Sequence, residues 1–137
     1  GEMEAMTGLA TAEIQAERVK AAEEYSARWG HVVVLKGAHT VIADPDGRTD
    51  LIPIAHPSLA SAGTGDVLAG MITGLIAQGM DCFSAASSAA WMHTRAGIQA
   101  AKALGSPRPV AAGDVCRAIP AVFAELENMP QVECDRE

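Results

Sequence analysis

Residues 61–70 read Ser-Ala-Gly-Thr-Gly-Asp-Val-Leu-Ala-Gly, a run of small residues with one carboxylate at the start of an apolar stripe. Gly63 and Gly65 give the backbone freedom for successive N–H groups, that of Thr64 included, to converge on an anion. A helix starting there adds the positive end of its dipole. Asp66 does not belong in an anion hole, because its charge would repel a phosphate. It is either a helix cap or a base that takes a proton from an attacking hydroxyl. Four such residues also occur as a plain loop followed by a capping Asp, so the choice rests on the surroundings. Leu68, Met71, Ile72, Leu75 and Ile76 recur at the spacing of a buried helical face that Gly79 closes, so the turn sits at the N-terminus of a helix.

Other elements must hold this turn in place. Thr11 to about Arg28 predicts a helix with Thr11 as its N-cap and Ile14, Ala22, Tyr25 and Trp29 on one face; Gly30 ends it. Val32–Leu35 is a short, wholly apolar run that fits an inner parallel strand covered on both faces. Thr40–Ala43, the turn Asp44-Pro45-Asp46-Gly47 and Arg48–Ile54 predict a β-hairpin. An Ala-rich helix runs from about Ser84 to Leu104, where Gly105 and Pro107 stop it. Asp114 then caps a short helix that Pro120 interrupts before Ala121–Leu126, and the tail from Asn128 reads as frayed. One inner strand and a hairpin are too few for a sheet with both faces covered, so the chain reads as part of an α/β domain with its N-terminal half absent. The alternative is a small α+β domain closed on itself. An incomplete sheet exposes a strand edge and apolar patches, which predicts a complementary half or a homo-oligomer.

A hydrophobic content of 49% with 20% charged residues describes a packed core. A net charge of −7 leaves no basic patch for nucleic acid or an anionic membrane surface. No stretch is long and apolar enough to span a bilayer, and Gly1-Glu2-Met3-Glu4 is not a basic leader, so a cytoplasmic location is expected. Cys82, Cys116 and Cys134 lack the paired spacing of a zinc site or disulfide framework and read as reduced bystanders; no metal ligand is named. Lys36, at a strand end, could by position alone be an ordinary solvated lysine. His31, His56 and His93 have no evident partner and default to surface or helix-face roles. Trp91, Met92 and Ala96 read as packing, and Glu23 and Glu24 as a solvated helix face.

Three segments together resemble the C-terminal half of the ADP/ATP-dependent NAD(P)H-hydrate dehydratases, a family of the ribokinase-like superfamily. They are Val33-Val34-Leu35-Lys36-Gly37-Ala38-His39-Thr40-Val41-Ile42-Ala43, His56-Pro57 through Gly70, and Gly74-Leu75-Ile76-Ala77-Gln78-Gly79. Gly1-Glu2-Met3 resembles the tail of a family loop, and Ala112-Gly113-Asp114 through Pro120 its closing helix. One departure is visible: the family commonly has Asn before the Pro at position 57, where this chain has His56.

The resemblance implies the C-terminal portion of a ribokinase-like three-layer α/β/α sandwich with a mostly parallel sheet. It also implies a repair reaction, in which hydrated NADH or NADPH is dehydrated back to the working coenzyme at the expense of ADP or ATP. Much of the dinucleotide pocket would come from the N-terminal half. Asp66 would be the catalytic base and contact the substrate, while the N–H groups of Gly63, Thr64 and Gly65 would steady the transferred phosphoryl. Lys36, Gly37, Ala38, His39 and Thr40 would contact the nucleotide, Lys36 as a point charge and His39 through its backbone only. Mg²⁺ would be held mainly by the nucleotide's phosphates. Two alternatives stand beside this: a sugar or hydroxymethylpyrimidine kinase of the same superfamily, and a non-catalytic partial domain.

Overall fold

The computed structural model of the chain describes residues 1–129. Six helices, α1 (Glu2–Thr7), α2 (Thr11–Ala16), α3 (Arg18–Trp29), α4 (Thr64–Ala77), α5 (Cys82–Ala103) and α6 (Ala112–Glu127), surround strands β1 (Val33–Leu35), β2 (Val41–Ala43) and β3 (Thr49–Leu51). A 3-10 turn, Pro57–Leu59, precedes α4.

The sheet sorts its side chains by the two-residue period of a strand. Val33, Leu35, Val41 and Ala43 pack with Ile14, Ala21 and Ala22 of α2 and α3. Val32, Val34, Ile42 and Ile52 face the other way, onto Leu68, Phe83, Ala86, Ala89 and Ala90 of α4 and α5. Helix, sheet and helix thus form the three layers of an α/β/α sandwich, as expected. Behind them Met92, Ala96, Ala100 and Ala101 of α5 pack against Val115 and Val122 of α6. In α5, alanine lets its neighbours approach closely, and twelve of its residues are buried.

The strand order is β1-β2-β3, and both pairings are antiparallel, with Val33 opposite Ala43 and Val41 opposite Leu51. The expectation that β1 is a parallel strand is therefore corrected for its pairing with β2. Only Lys36–Thr40 separates the two strands, and a parallel crossover needs a dozen or more residues. Among the described residues the other edge of β1 has no strand beside it. Along that edge lies a hollow of about 900 Å³ whose walls include Met3, Met6, Ile14, Trp29 and Val32.

Five boundaries differ from the sequence reading. Residues 2–7 form a helix rather than a loop tail. The first long helix breaks at Glu17, whose φ of −130° and ψ of 48° are not helical. Its N-cap is Ala10, whose N–H donates to the Glu13 carboxylate at 3.0 Å, while Thr11 bonds Glu4 instead. Helix α6 runs unbroken through Pro120, because Cys116 and Pro120 lie on the exposed face, where water can take up the carbonyl that proline cannot bond. Asp114 stands three residues inside that helix and accepts from the N–H of the true cap, Ala111. The predicted hairpin forms: Asp44 accepts from the N–H groups of Asp46 and Arg48 and pairs with the Arg48 guanidinium. Burial pushes the Asp44 carboxyl up, but those donors outweigh it and hold it below its ordinary value. Cys82 and Cys116 are free thiols; Cys134 lies outside the described residues.

Candidate functional site

The small-residue turn is tied down before α4 begins. Thr64 Oγ1 shares its hydrogen between the carbonyls of Leu59, at 2.8 Å, and Ser61, at 2.9 Å, while Ser61 donates to the Val110 carbonyl. Gly63 is the N-cap of α4 with φ 84°, a left-handed angle that disfavours any side chain. A Cβ there would also lie 3.2 Å from Ala112 at the start of α6. No side chain caps the start of this fourteen-residue helix; the Thr64 N–H turns back to the Ser61 carbonyl at 3.4 Å and the Asp66 N–H to the Gly63 carbonyl at 3.1 Å.

Chain folding brings the loop after β1 to the same place. The Lys36 Nζ lies 2.8 Å from where a Gly65 Cβ would sit, so Gly65 is the residue that lets the ammonium approach the helix N-terminus. Lys36 also pairs with Glu2 at 3.4 Å. Between the loop, the turn and α5 lies a cavity of about 430 Å³, lined on one side by Lys36, Gly37, Ala38 and Thr40 and on the other by Thr64 and Gly65. His39, Gly63 and Asp66 do not line it. Asp66 stands in the first turn of α4, exposed, next to the cavity mouth formed by Gly65.

Three histidines were read alike, and the structure separates them. His31 is exposed, as expected. His56 caps the 3-10 turn: its Nδ1 lies 2.7 Å from Ser58 Oγ and accepts from the Ser58 N–H at 3.4 Å. An acceptor two residues ahead is what Asn supplies in an Asx turn, so His56 can fill the place where the family commonly has Asn. His93 contradicts its surface reading. It is 6% exposed, its Nε2 has no hydrogen-bond partner, and it forms part of the cavity wall beside Thr94. Burial pushes its pKa down and the Lys36 charge adds to that, against the Thr64 backbone, which acts to raise it. The stripe of buried α5 residues at 86, 89, 90, 93, 96 and 97 held this signal, since His93 falls on the same helical face.

Close packing supports the site from behind. Gly97 of α5 lies against the 3-10 turn: a Cβ there would be 2.6 Å from Ser58 Oγ and 2.7 Å from Leu59 Cδ2. Met92 and Ala96 are core residues and the half-buried Trp91 packs against them, as expected. Among the described residues, no three His, Cys, Asp or Glu side chains gather in a group that could hold a metal.

The chain is similar to known proteins over most of its length. The NAD(P)H-hydrate dehydratase family model matches residues 1–121. A bifunctional NAD(P)H-hydrate repair enzyme of Moorella thermoacetica is 43% identical over 128 residues, covering 93% of this chain and 24% of that protein. An ADP-dependent (S)-NAD(P)H-hydrate dehydratase of Neisseria meningitidis is 37% identical, covering 82% of this chain and 38% of its own length. The crystal structure of the Bacillus subtilis ADP/ATP-dependent NAD(P)H-hydrate dehydratase, co-crystallised with ATP and Mg²⁺ and soaked with CoA, superposes with a TM-score of 0.85. Its sequence is 35% identical, and the match covers 91% of this chain and 46% of that one. The chain thus spans less than half the length of these relatives, and it belongs to the NAD(P)H-hydrate dehydratase family.

Proposed function

We propose that this chain carries the nucleotide-binding and phosphoryl-transfer half of an enzyme that dehydrates hydrated NADH or NADPH using ADP or ATP. The observation that carries the reading is the meeting of two segments distant in sequence. The Lys36–Thr40 loop and the Thr64–Gly65 helix start line one cavity, with the Lys36 ammonium against Gly65.

The chemistry follows from what each group can do. Water is a poor leaving group, so the hydroxyl of the hydrated nicotinamide ring is first phosphorylated. Asp66 accepts the hydroxyl proton as the oxygen attacks the terminal phosphorus, and the bond from that phosphorus to the rest of the nucleotide breaks. The N–H groups of Gly63, Thr64 and Gly65 and the dipole of α4 stabilise charge on the group in transit, and Lys36 holds the phosphates as a point charge. The ring nitrogen then expels inorganic phosphate, and loss of the neighbouring ring proton restores the coenzyme's double bond. Mg²⁺ held by the nucleotide's phosphates would neutralise charge there. Gly37, Ala38 and Thr40 approach the nucleotide; His39, which does not line the cavity and whose carbonyl accepts from Arg18, makes no contact in this reading.

The remainder of the dinucleotide pocket comes from a complementary half that lays its own strand along β1, or, failing that, from a second copy. We place the protein in the cytoplasm, with the reduced coenzymes it would repair. The test joins this chain to the complementary half of a family member and adds chemically hydrated NADH. Recovery of reduced-nicotinamide absorbance that requires ADP or ATP is the expected result. Phosphorylation of a sugar or pyrimidine without recovery would replace this reading with a kinase.

A further inference from the structure

Arg18 stands at the first position of α3, just past the break at Glu17, and reaches across to the end of the sheet. Its Nη2 donates to the Leu35 carbonyl at 2.8 Å and to the His39 carbonyl at 3.1 Å. Its Nη1 donates to the Gln15 side chain at 3.0 Å, which steadies the guanidinium from the helical side. Leu35 is opposite Val41, the last paired position before the strands part, so the two carbonyls stand at the two ends of the Lys36–Thr40 loop.

Outside this contact the loop is held, among the described residues, only at its ends, where Thr40 accepts from the Ile52 N–H at 2.9 Å and the Lys36 ammonium pairs with Glu2. Among the described residues, no backbone–backbone hydrogen bond is made within Lys36–His39. Gly37 fits the same geometry: a Cβ there would fall 2.6 Å from Arg18 Nη2 and 2.8 Å from Nη1, inside the guanidinium. A five-residue connection without internal bonds samples many shapes, and each must be given up when a ligand binds. Two charge-assisted bonds from one rigid planar group remove much of that freedom beforehand.

We infer that Arg18 is a positioning residue for nucleotide binding: it staples both ends of the loop, so that the Lys36 ammonium and the Gly37 backbone are held facing the N-terminus of α4. The inference rests on the proposed nucleotide site, and it assigns Arg18 no contact with the nucleotide. Gly37 is small because the guanidinium occupies the space its side chain would need.

Calorimetric titration of this chain with ADP, together with amide hydrogen exchange across residues 36–40, tests it. Arg18→Gln should weaken ADP binding about tenfold through lost preorganisation, with faster exchange confined to the loop, and Arg18→Lys should recover part of the affinity. Gly37→Ala should weaken binding in the unaltered chain but add little in the Arg18→Gln background, because both changes act on one contact. Thermal unfolding of each variant separates this from general instability. Unchanged ADP affinity in Arg18→Gln, with the unaltered chain binding normally, would overturn the inference and leave the site standing. No saturable heat from the unaltered chain would instead overturn the nucleotide reading and the ligand named here with it.

Discussion

Two concavities meet at Lys36, and they differ in what they offer. The larger, about 900 Å³, follows the unpaired edge of β1 and is walled by Met3, Met6, Ile14, Trp29 and the strand itself, together with Glu2, Thr11, Gln15, Arg28 and His31. The smaller, about 430 Å³, has Thr40, His56, Thr64, His93, Thr94 and two glycines around Lys36, over an apolar wall that includes Ile54, Leu59, Leu68 and Ala90. The larger runs beside a sheet edge with no partner among the described strands, a place suited to pairing with a further strand. In the smaller, helix-terminal amides, an ammonium and a buried imidazole converge, which is the chemistry of a small polar ligand.

The division can be broken most forcefully at Asp66. In the joined enzyme, Asp66→Asn should lower kcat by about 10²–10⁴-fold, the range for loss of a general base, while this chain binds ADP nearly as before. Repair at full speed would remove Asp66 from the chemistry. A smaller effect separates the concavities directly. Lys36→Ala should weaken ADP binding about tenfold, as expected for a lost charged phosphate contact, whereas Met6→Asp in the larger hollow should leave the binding heat unchanged and weaken association with the complementary half. Equal effects of both on ADP would erase the distinction.

The smallest effect concerns acid. His93 has a folded pKa below its ordinary 6.5, so the unfolded chain binds more protons once pH falls under that value. Its contribution to stability is complete above 6.5 and is lost as pH falls toward the depressed folded value. Thermal unfolding should therefore shift less with acidification in His93→Asn than in the unaltered chain. A parallel pH dependence of the two would show that the ring is not held neutral.

The small-residue turn and the helix behind it were legible in sequence because each is local, a spacing and a stripe; the Lys36 loop was legible only through the family resemblance, since by position alone Lys36 could be a solvated lysine. The pairing of β1 with β2 was also written there, in the five residues between them, but apolarity was given more weight than connection length. Pro120 misled because a proline on a solvent-facing turn leaves its orphaned carbonyl to water. Arg18 was invisible for a different reason. Its partners are backbone carbonyls 17 and 21 residues away, and a carbonyl leaves no trace in residue type. His93 needed only the α5 stripe extended by one turn, and His56 needed the fold of the 3-10 turn before its Asn-like capping could be recognised.

Gly97 carries a practical consequence for anyone who would stabilise this chain. Replacing a helical glycine by alanine ordinarily rigidifies the unfolded chain and strengthens the helix. Here the added methyl would collide with the Ser58 hydroxyl and the Leu59 side chain, in the segment whose Leu59 carbonyl anchors Thr64 at the start of α4. The conventional improvement would trade helix propensity for a dislocated ligand cradle.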